Sequence, residues 1–200
     1  MEFHTKSMQR THQLGVLAGS FNPPTTAHLQ LVDAALGFHV DEVLCVLPRV
    51  FPHKEYFGAT LEQRVEMLTL AEDGGLPYSL ASSETGLFLD IARECREHYG
   101  AGVRLCFICG RDAAERVLNW DYGRPGVVEQ MLRDFELLVA ARQGELEPPA
   151  RFRGRIHRLH VRGGYDAVSS TDVREKIARG EPWEHLVPKE IVDRVRAIYS

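Results

Sequence analysis

The sequence predicts an α/β fold, a doubly wound parallel sheet with a small helical end at the C-terminus. Two observations carry that expectation. Short apolar runs alternate along the chain with longer segments whose apolar residues recur at helical spacing. The short runs are nearly continuous in apolar character, so their strands are covered on both faces, as parallel strands joined by crossover helices are. Length agrees with one such domain: 200 residues give a full-sized core but leave little room for a second unit.

The elements follow in order. Residues 13–20, QLGVLAGS, form an apolar run closing in small residues, a strand that feeds a loop. Residues 27–38 carry apolar side chains at helical spacing with a glycine near the end. A strand is expected over 41–48, an amphipathic helix over 61–73 stopped by Gly74 and Gly75, a short strand over 76–82, and a helix over 88–100. Residues 102–110, GVRLCFICG, read as the most buried strand. A helical pair spans about 112–133 with a break at 123–126, and a strand covers 135–142. The polar, Pro/Gly-bearing stretch 143–154 reads as a surface loop, 155–161 as the last strand, and about 171–179 and 188–198 as two closing helices. With right-handed crossovers this is a Rossmann-like arrangement, in which ligands bind beyond the carboxyl ends of the strands. Residues 13–200 are expected as a single domain, and residues 1–12 as a disordered or tag-like lead-in.

Composition excludes several classes. At 44% hydrophobic and 26% charged the chain is an ordinary globular one. A formal net charge of -4 argues against a nucleic-acid backbone as main partner. No apolar run approaches the ~20 residues that span a bilayer, so no membrane partner is expected and the location is expected to be cytoplasmic. Cys106 and Cys109 have metal-pair spacing, yet on a strand residues three apart point to opposite faces, which makes them core thiols. His157 and His160 diverge by the same geometry, and no metal site is expected in the protein.

Chemistry is expected in the loops after strands. The first runs Gly19, Ser20, Phe21, Asn22, Pro23, Pro24, Thr25, Thr26, Ala27, His28. Gly19 and Ser20 let a ligand approach the backbone, the prolines stiffen the turn, and His28 falls in the first turn of a helix, where free N–H groups and the macrodipole favour phosphate. By itself this loop reads equally well as a capped turn. Near the other end, Ser169, Ser170 and Thr171 place three hydroxyls at a helix start with Arg174 one turn in, a set suited to the outer phosphates of a nucleoside triphosphate.

Together, GSFNPPTTAHL and SSTDVR resemble the nicotinate/nicotinamide mononucleotide adenylyltransferases, within the nucleotidylyltransferases marked by an (H/T)xGH-type loop. The likeness runs from about residue 14 to 197 and takes in Phe51, Pro52, His53 and Lys54 with Arg64 and Met67, then Gly110-Arg111-Asp112 with Trp120. It implies an enzyme that moves AMP from ATP to a pyridine mononucleotide, nicotinate mononucleotide favoured, releasing pyrophosphate in NAD biosynthesis, with Mg²⁺ accompanying ATP and no dedicated protein ligands for it. Carried over, His28, Thr25, Lys54 and Arg174 form the catalytic set. Gly19, Ser20, Phe21, His28, Gly110, Asp112, Ser169, Ser170, Thr171 and Arg174 bind ATP, and Lys54 and Trp120 meet the acceptor. The partners implied are ATP and a phosphorylated mononucleotide, and a homo-oligomer is left open.

Departures from the family pattern are Thr25 where bacterial members carry His, Ala27 for Gly, Arg111 for Ala, and residues 84–88, ETGLF, where the family has an SYT segment. They leave two other readings: transfer to another phosphorylated acceptor such as phosphopantetheine, or a non-catalytic nucleotide-binding module.

Overall fold

A computed structural model describes residues 1–8, 10–50, 58–72, 78–140, 147–162 and 168–200. In chain order its elements are β1 (Glu2–Thr5), β2 (Gln13–Ala18), α1 (Thr26–Leu36), β3 (Glu42–Pro48), α2 (Leu61–Glu72), β4 (Ser79–Ser83), α3 (Phe88–Tyr99), β5 (Arg104–Gly110), α4 (Arg111–Asn119), α5 (Val127–Asp134), β6 (Glu136–Ala140), β7 (Ile156–Leu159), α6 (Ser170–Arg179) and α7 (Val192–Tyr199). Short 3₁₀ turns lie at Ala150–Phe152, Glu184–Leu186 and Lys189–Ile191.

The strands form one sheet in the order β1-β4-β3-β2-β5-β6-β7. From β2 the chain winds outward through β3 and β4, returns to lay β5 on the other side of β2, and winds outward again through β6 and β7. All neighbours from β4 to β7 are parallel. The winding reverses between β2 and β5, and there the crossover helices leave to opposite faces and open a crevice.

Buried strand side chains alternate between two apolar layers. Val16, Phe107, Cys109 and Val139 face the layer covered by α3, α4 and α5, with Ile91, Cys95 and Met131 packed against them. Leu17, Cys106, Ile108 and Leu138 face the layer covered by α1 and α2, with Leu31, Val32 and Leu68. Cys106 and Cys109 therefore lie on opposite sides of the sheet, as their spacing requires. Desolvation pushes their thiols up, to about 11 and about 12, which keeps both protonated and unreactive. A third cluster joins α2, through Met67 and Ala71, to Trp183, Leu186, Ile191 and Val195 of the C-terminal end.

Three expectations change in detail. The lead-in contains β1, which pairs antiparallel with β4 through Glu2, Phe3 and Thr5. Phe3 anchors it, packing edge-on to His98 and against Tyr99. Past β1, Ser7 donates its N–H to Ser79 Oγ, and Asp41 accepts the N–H groups of His12 and Gln13. The 143–154 loop includes the turn at Ala150–Phe152, pinned by buried Phe152. The last helix begins only at Val192, after two 3₁₀ turns. His157 pairs with Glu136 at 3.0 Å, while His160 lies exposed past the end of β7. Among the described residues no group of three or more His, Cys, Asp or Glu is placed to hold a metal.

Candidate active site

A cleft of about 650 Å³ opens at the reversal point, lined by the residues that follow β2 and β5. Three helices begin at its wall: α1 with Thr25, Ala27 and His28, α4 with Gly110, Arg111 and Asp112, and α6 with Ser169 and Ser170. Each N-terminus presents unpaired N–H groups and the positive end of a helix dipole.

At α1 the sequence T-T-A-H forms a capping box with histidine in the place usually taken by Glu or Gln. Thr25, fully buried, accepts the backbone N–H of His28 through its side chain. The Thr25 N–H donates to His28 Nδ1 at 3.0 Å, and the Thr25 hydroxyl lies 2.8 Å from the same nitrogen. Because Nδ1 accepts, the proton of the neutral ring sits on Nε2. The local fold thus selects one tautomer and orients the ring, which also packs on Phe21 at 4.9 Å between centroids.

Phe21 does not line the cleft. It is buried beneath it, with φ 47, a left-handed conformation that a phenylalanine holds only when its surroundings impose it. Those surroundings are side chains that grip the loop by its carbonyls. Arg64, only 2% exposed, donates to Ser20 O at 3.0 Å. Arg174 donates to Asn22 O, and Ser170 donates to Pro23 O at 2.7 Å. Asn22 Oδ1 accepts from Ala59 N–H at 3.2 Å and from the Tyr199 hydroxyl. A Cβ on Gly19 would meet only the Phe21 ring, at an ordinary 3.4 Å, so no neighbour demands glycine there. What a side chain at 19 would obstruct is the cleft that Gly19 lines.

At α6, Ser169 is the N-cap: its Oγ accepts from Asp172 N–H at 3.1 Å and donates to Asp172 Oδ2 at 2.6 Å. Thr171 and Arg174 do not line the cleft; Arg174 also donates to Thr171 Oγ1 at 3.3 Å. The two terminal motifs are thus brought together partly by direct bonds between them. Asp112 stands exposed at the first turn of α4. Lys54, with Phe51, Pro52 and His53, lies outside the described residues.

Part of the cleft lining is apolar. Gly86, Leu87, Phe88, Leu89, Val117, Trp120, Tyr122 and Met131 belong to this apolar part of the lining. Leu87 is 38% and Trp120 46% exposed, two of only four large hydrophobics so exposed among the described residues. Phe88 is held by stacking on core Phe107 at 4.4 Å. Burial raises the Tyr122 hydroxyl, so it stays neutral. Thr85, the hydroxyl residue of the 84–88 stretch, donates to Asp90 Oδ2 at 3.0 Å and is not part of the wall.

The cytidylyltransferase-like family model matches residues 16–176. A Moorella thermoacetica protein named "Probable nicotinate-nucleotide adenylyltransferase" is 30% identical, covering 94% of this chain and 91% of its own length. An Anaeromyxobacter dehalogenans protein of the same name is 32% identical, with 92% and 94% covered. The chain belongs to the nicotinate-nucleotide adenylyltransferase family. It is a nucleotidyltransferase. A solved structure described as "Plasmodium falciparum nicotinic acid mononucleotide adenylyltransferase complexed with NaAD" superposes with a TM-score of 0.71 at 15% identity, covering 92% of this chain and 95% of that one. At that identity it shows the fold.

Within this family frame, sequence reasoning missed the residues that shape the site from outside it. Asn22 and Tyr199 are 177 positions apart, and no local pattern joins them. Arg116 and Val117, by contrast, had a readable signal. Asp112 and Arg116 lie one turn apart on one side of α4, and Trp120, the residue that caps it, follows four positions later.

Proposed function

We propose that this nucleotidyltransferase moves AMP from ATP to nicotinate mononucleotide, forming the dinucleotide and releasing pyrophosphate. The observation that supports it is the cleft's mixed lining: three helix N-termini together with a set of apolar and aromatic side chains that includes Leu87, Phe88, Trp120 and Tyr122. The first suits a polyphosphate, the second a flat heteroaromatic ring.

In this reading an acceptor phosphate oxygen attacks the α-phosphorus of MgATP. A new P–O bond forms as the bond to the β-phosphate oxygen breaks, and pyrophosphate carries away the charge. No covalent enzyme intermediate is needed, so the protein contributes alignment and charge stabilisation. His28 Nε2–H donates to the α-phosphoryl oxygens as they gain charge, with Thr25 fixing its tautomer. Asp112 accepts from the adenosine ribose hydroxyls beside Gly110. Ser169 and Ser170 hold the outer phosphates, while Thr171 and Arg174, which do not line the cleft, act through the loop: Arg174 bonds Thr171 and, with Ser170, keeps the Asn22–Pro23 carbonyls in place. Gly19 and Ser20 admit the nucleotide, Lys54 neutralises phosphate charge, and Trp120 faces the pyridine.

Purified protein incubated with MgATP and separate acceptors tests this. Pyrophosphate release and dinucleotide formation are expected with nicotinate mononucleotide, more slowly with the amide, and not with phosphopantetheine. Faster turnover of phosphopantetheine, or ATP binding with no turnover of any acceptor, contradicts the proposal.

A further inference from the structure

The acceptor favoured above carries a ring carboxylate, yet the slot that would take its ring offers that charge little. Leu87, Phe88 and Leu89 form an apolar wall, and the hydroxyl of Thr85 is turned onto Asp90. A carboxylate brought against such a wall loses hydration and needs a hydrogen-bonded counter-charge.

Among the described residues, two arginines line the cleft, Arg111 and Arg116. Arg111 is already engaged: its Nε bonds Glu115 Oε1 at 2.7 Å, which raises its pKa above the usual guanidinium value. Arg116 has no ion pair or hydrogen bond among the described residues, is exposed, and belongs to the cleft lining.

Helical geometry places it. Asp112, Arg116 and Trp120 succeed one another at four-residue steps along α4 and the residue that caps it. Each step advances about 6 Å along the axis on nearly the same side. Along this side the residues succeed one another as carboxylate, guanidinium and indole, and all three belong to the cleft lining. A pyridine ring set against the indole would have a guanidinium about one helical turn away, about 6 Å along the axis, to meet its carboxylate.

We infer that Arg116 is the residue by which this enzyme recognises the acceptor's ring carboxylate. The inference rests on the proposed pyridine-mononucleotide reaction. A guanidinium pairs a carboxylate bidentately and gains little from a neutral carboxamide, which makes Arg116 a determinant of acid over amide. The bland alternative is a cation in the last turn of α4 that only complements the helix dipole, a role visible in stability and not in specificity.

The experiment compares wild type, Arg116→Gln and Arg116→Lys in steady-state assays with nicotinate and nicotinamide mononucleotides, alongside melting curves. For Arg116→Gln we expect KM for the acid to rise about 10- to 100-fold, KM for the amide and for ATP to stay within about twofold, and Tm to hold. Arg116→Lys keeps the charge without the fork and should fall between. An unchanged acid-to-amide preference in Arg116→Gln overturns this inference alone, as does an equal rise in KM for ATP. A wild type that accepts neither pyridine mononucleotide overturns the functional reading, and the inference with it.

Discussion

His28 shows how much of a catalytic group's behaviour is decided by its neighbours. A surface imidazole exchanges tautomers freely, whereas here the Thr25 N–H at 3.0 Å occupies Nδ1 and assigns the proton to Nε2. The same contact closes the N-terminus of α1, so orienting the ring and capping the helix are one interaction. If Nε2–H acts on charge that develops only in the transition state, His28→Ala should lower kcat by ~10²–10³ while KM for ATP barely moves. Steady-state kinetics checks this, and an unaltered kcat removes His28 from the mechanism. The motif residues of this end were legible in the sequence because Gly19, Ser20, Thr25 and His28 are close along the chain. The direction each one faces was not. Phe21 reads as part of the same loop, yet it lies buried under His28 at φ 47.

At the scale of elements, the phosphate loop is held mostly by groups from elsewhere. Arg64 from α2, Ser170 and Arg174 from α6, and Tyr199 from α7 each donate to residues 20–23. Gly58 completes the packing. Its φ of +105 disfavours any side chain, and a Cβ there would lie 2.7 Å from the Asn22 amide. Tyr199→Phe removes one donor while Asn22 Oδ1 keeps the Ala59 N–H, so a loss of about 1 kcal/mol is expected, a Tm fall of about 2–4 °C. Gly58→Ala meets both strain and overlap and should cost more, with KM for ATP raised in both variants. Melting curves and ATP kinetics check the order, and a Gly58→Ala protein more stable than Tyr199→Phe contradicts it. Such cross-chain grips leave no periodic trace. The β1 strand was hidden for the same reason, since its four residues gain meaning only by pairing with β4, some 80 positions away (Glu2 with Ser82).

At the scale of the molecule, alternating apolar runs were enough to anticipate a doubly wound sheet, because strands covered on both faces must be apolar throughout. Val16 and Leu17, or Phe107 and Ile108, are adjacent in sequence and serve opposite layers. The order β1-β4-β3-β2-β5-β6-β7 then puts the site between β2 and β5, the one place where two outward windings part. Two sequence features pointed to the apolar slot, Trp120 after Gly110-Arg111-Asp112 and the departure from the family pattern at residues 84–88. Its character needed Trp120 and Tyr122, which follow α4, and Met131 of α5 to join the same lining.

In the proposed reaction one cleft holds both halves, triphosphate against the three helix N-termini and pyridine in the apolar slot. A crystal structure with the dinucleotide product tests it most directly. Ribose hydroxyls are expected on Asp112, the bridging phosphates at His28, and the pyridine between Leu87 and Trp120 with its carboxylate toward Arg116. A product bound away from this cleft, or with its pyridine turned away from the Leu87–Trp120 slot, would contradict it.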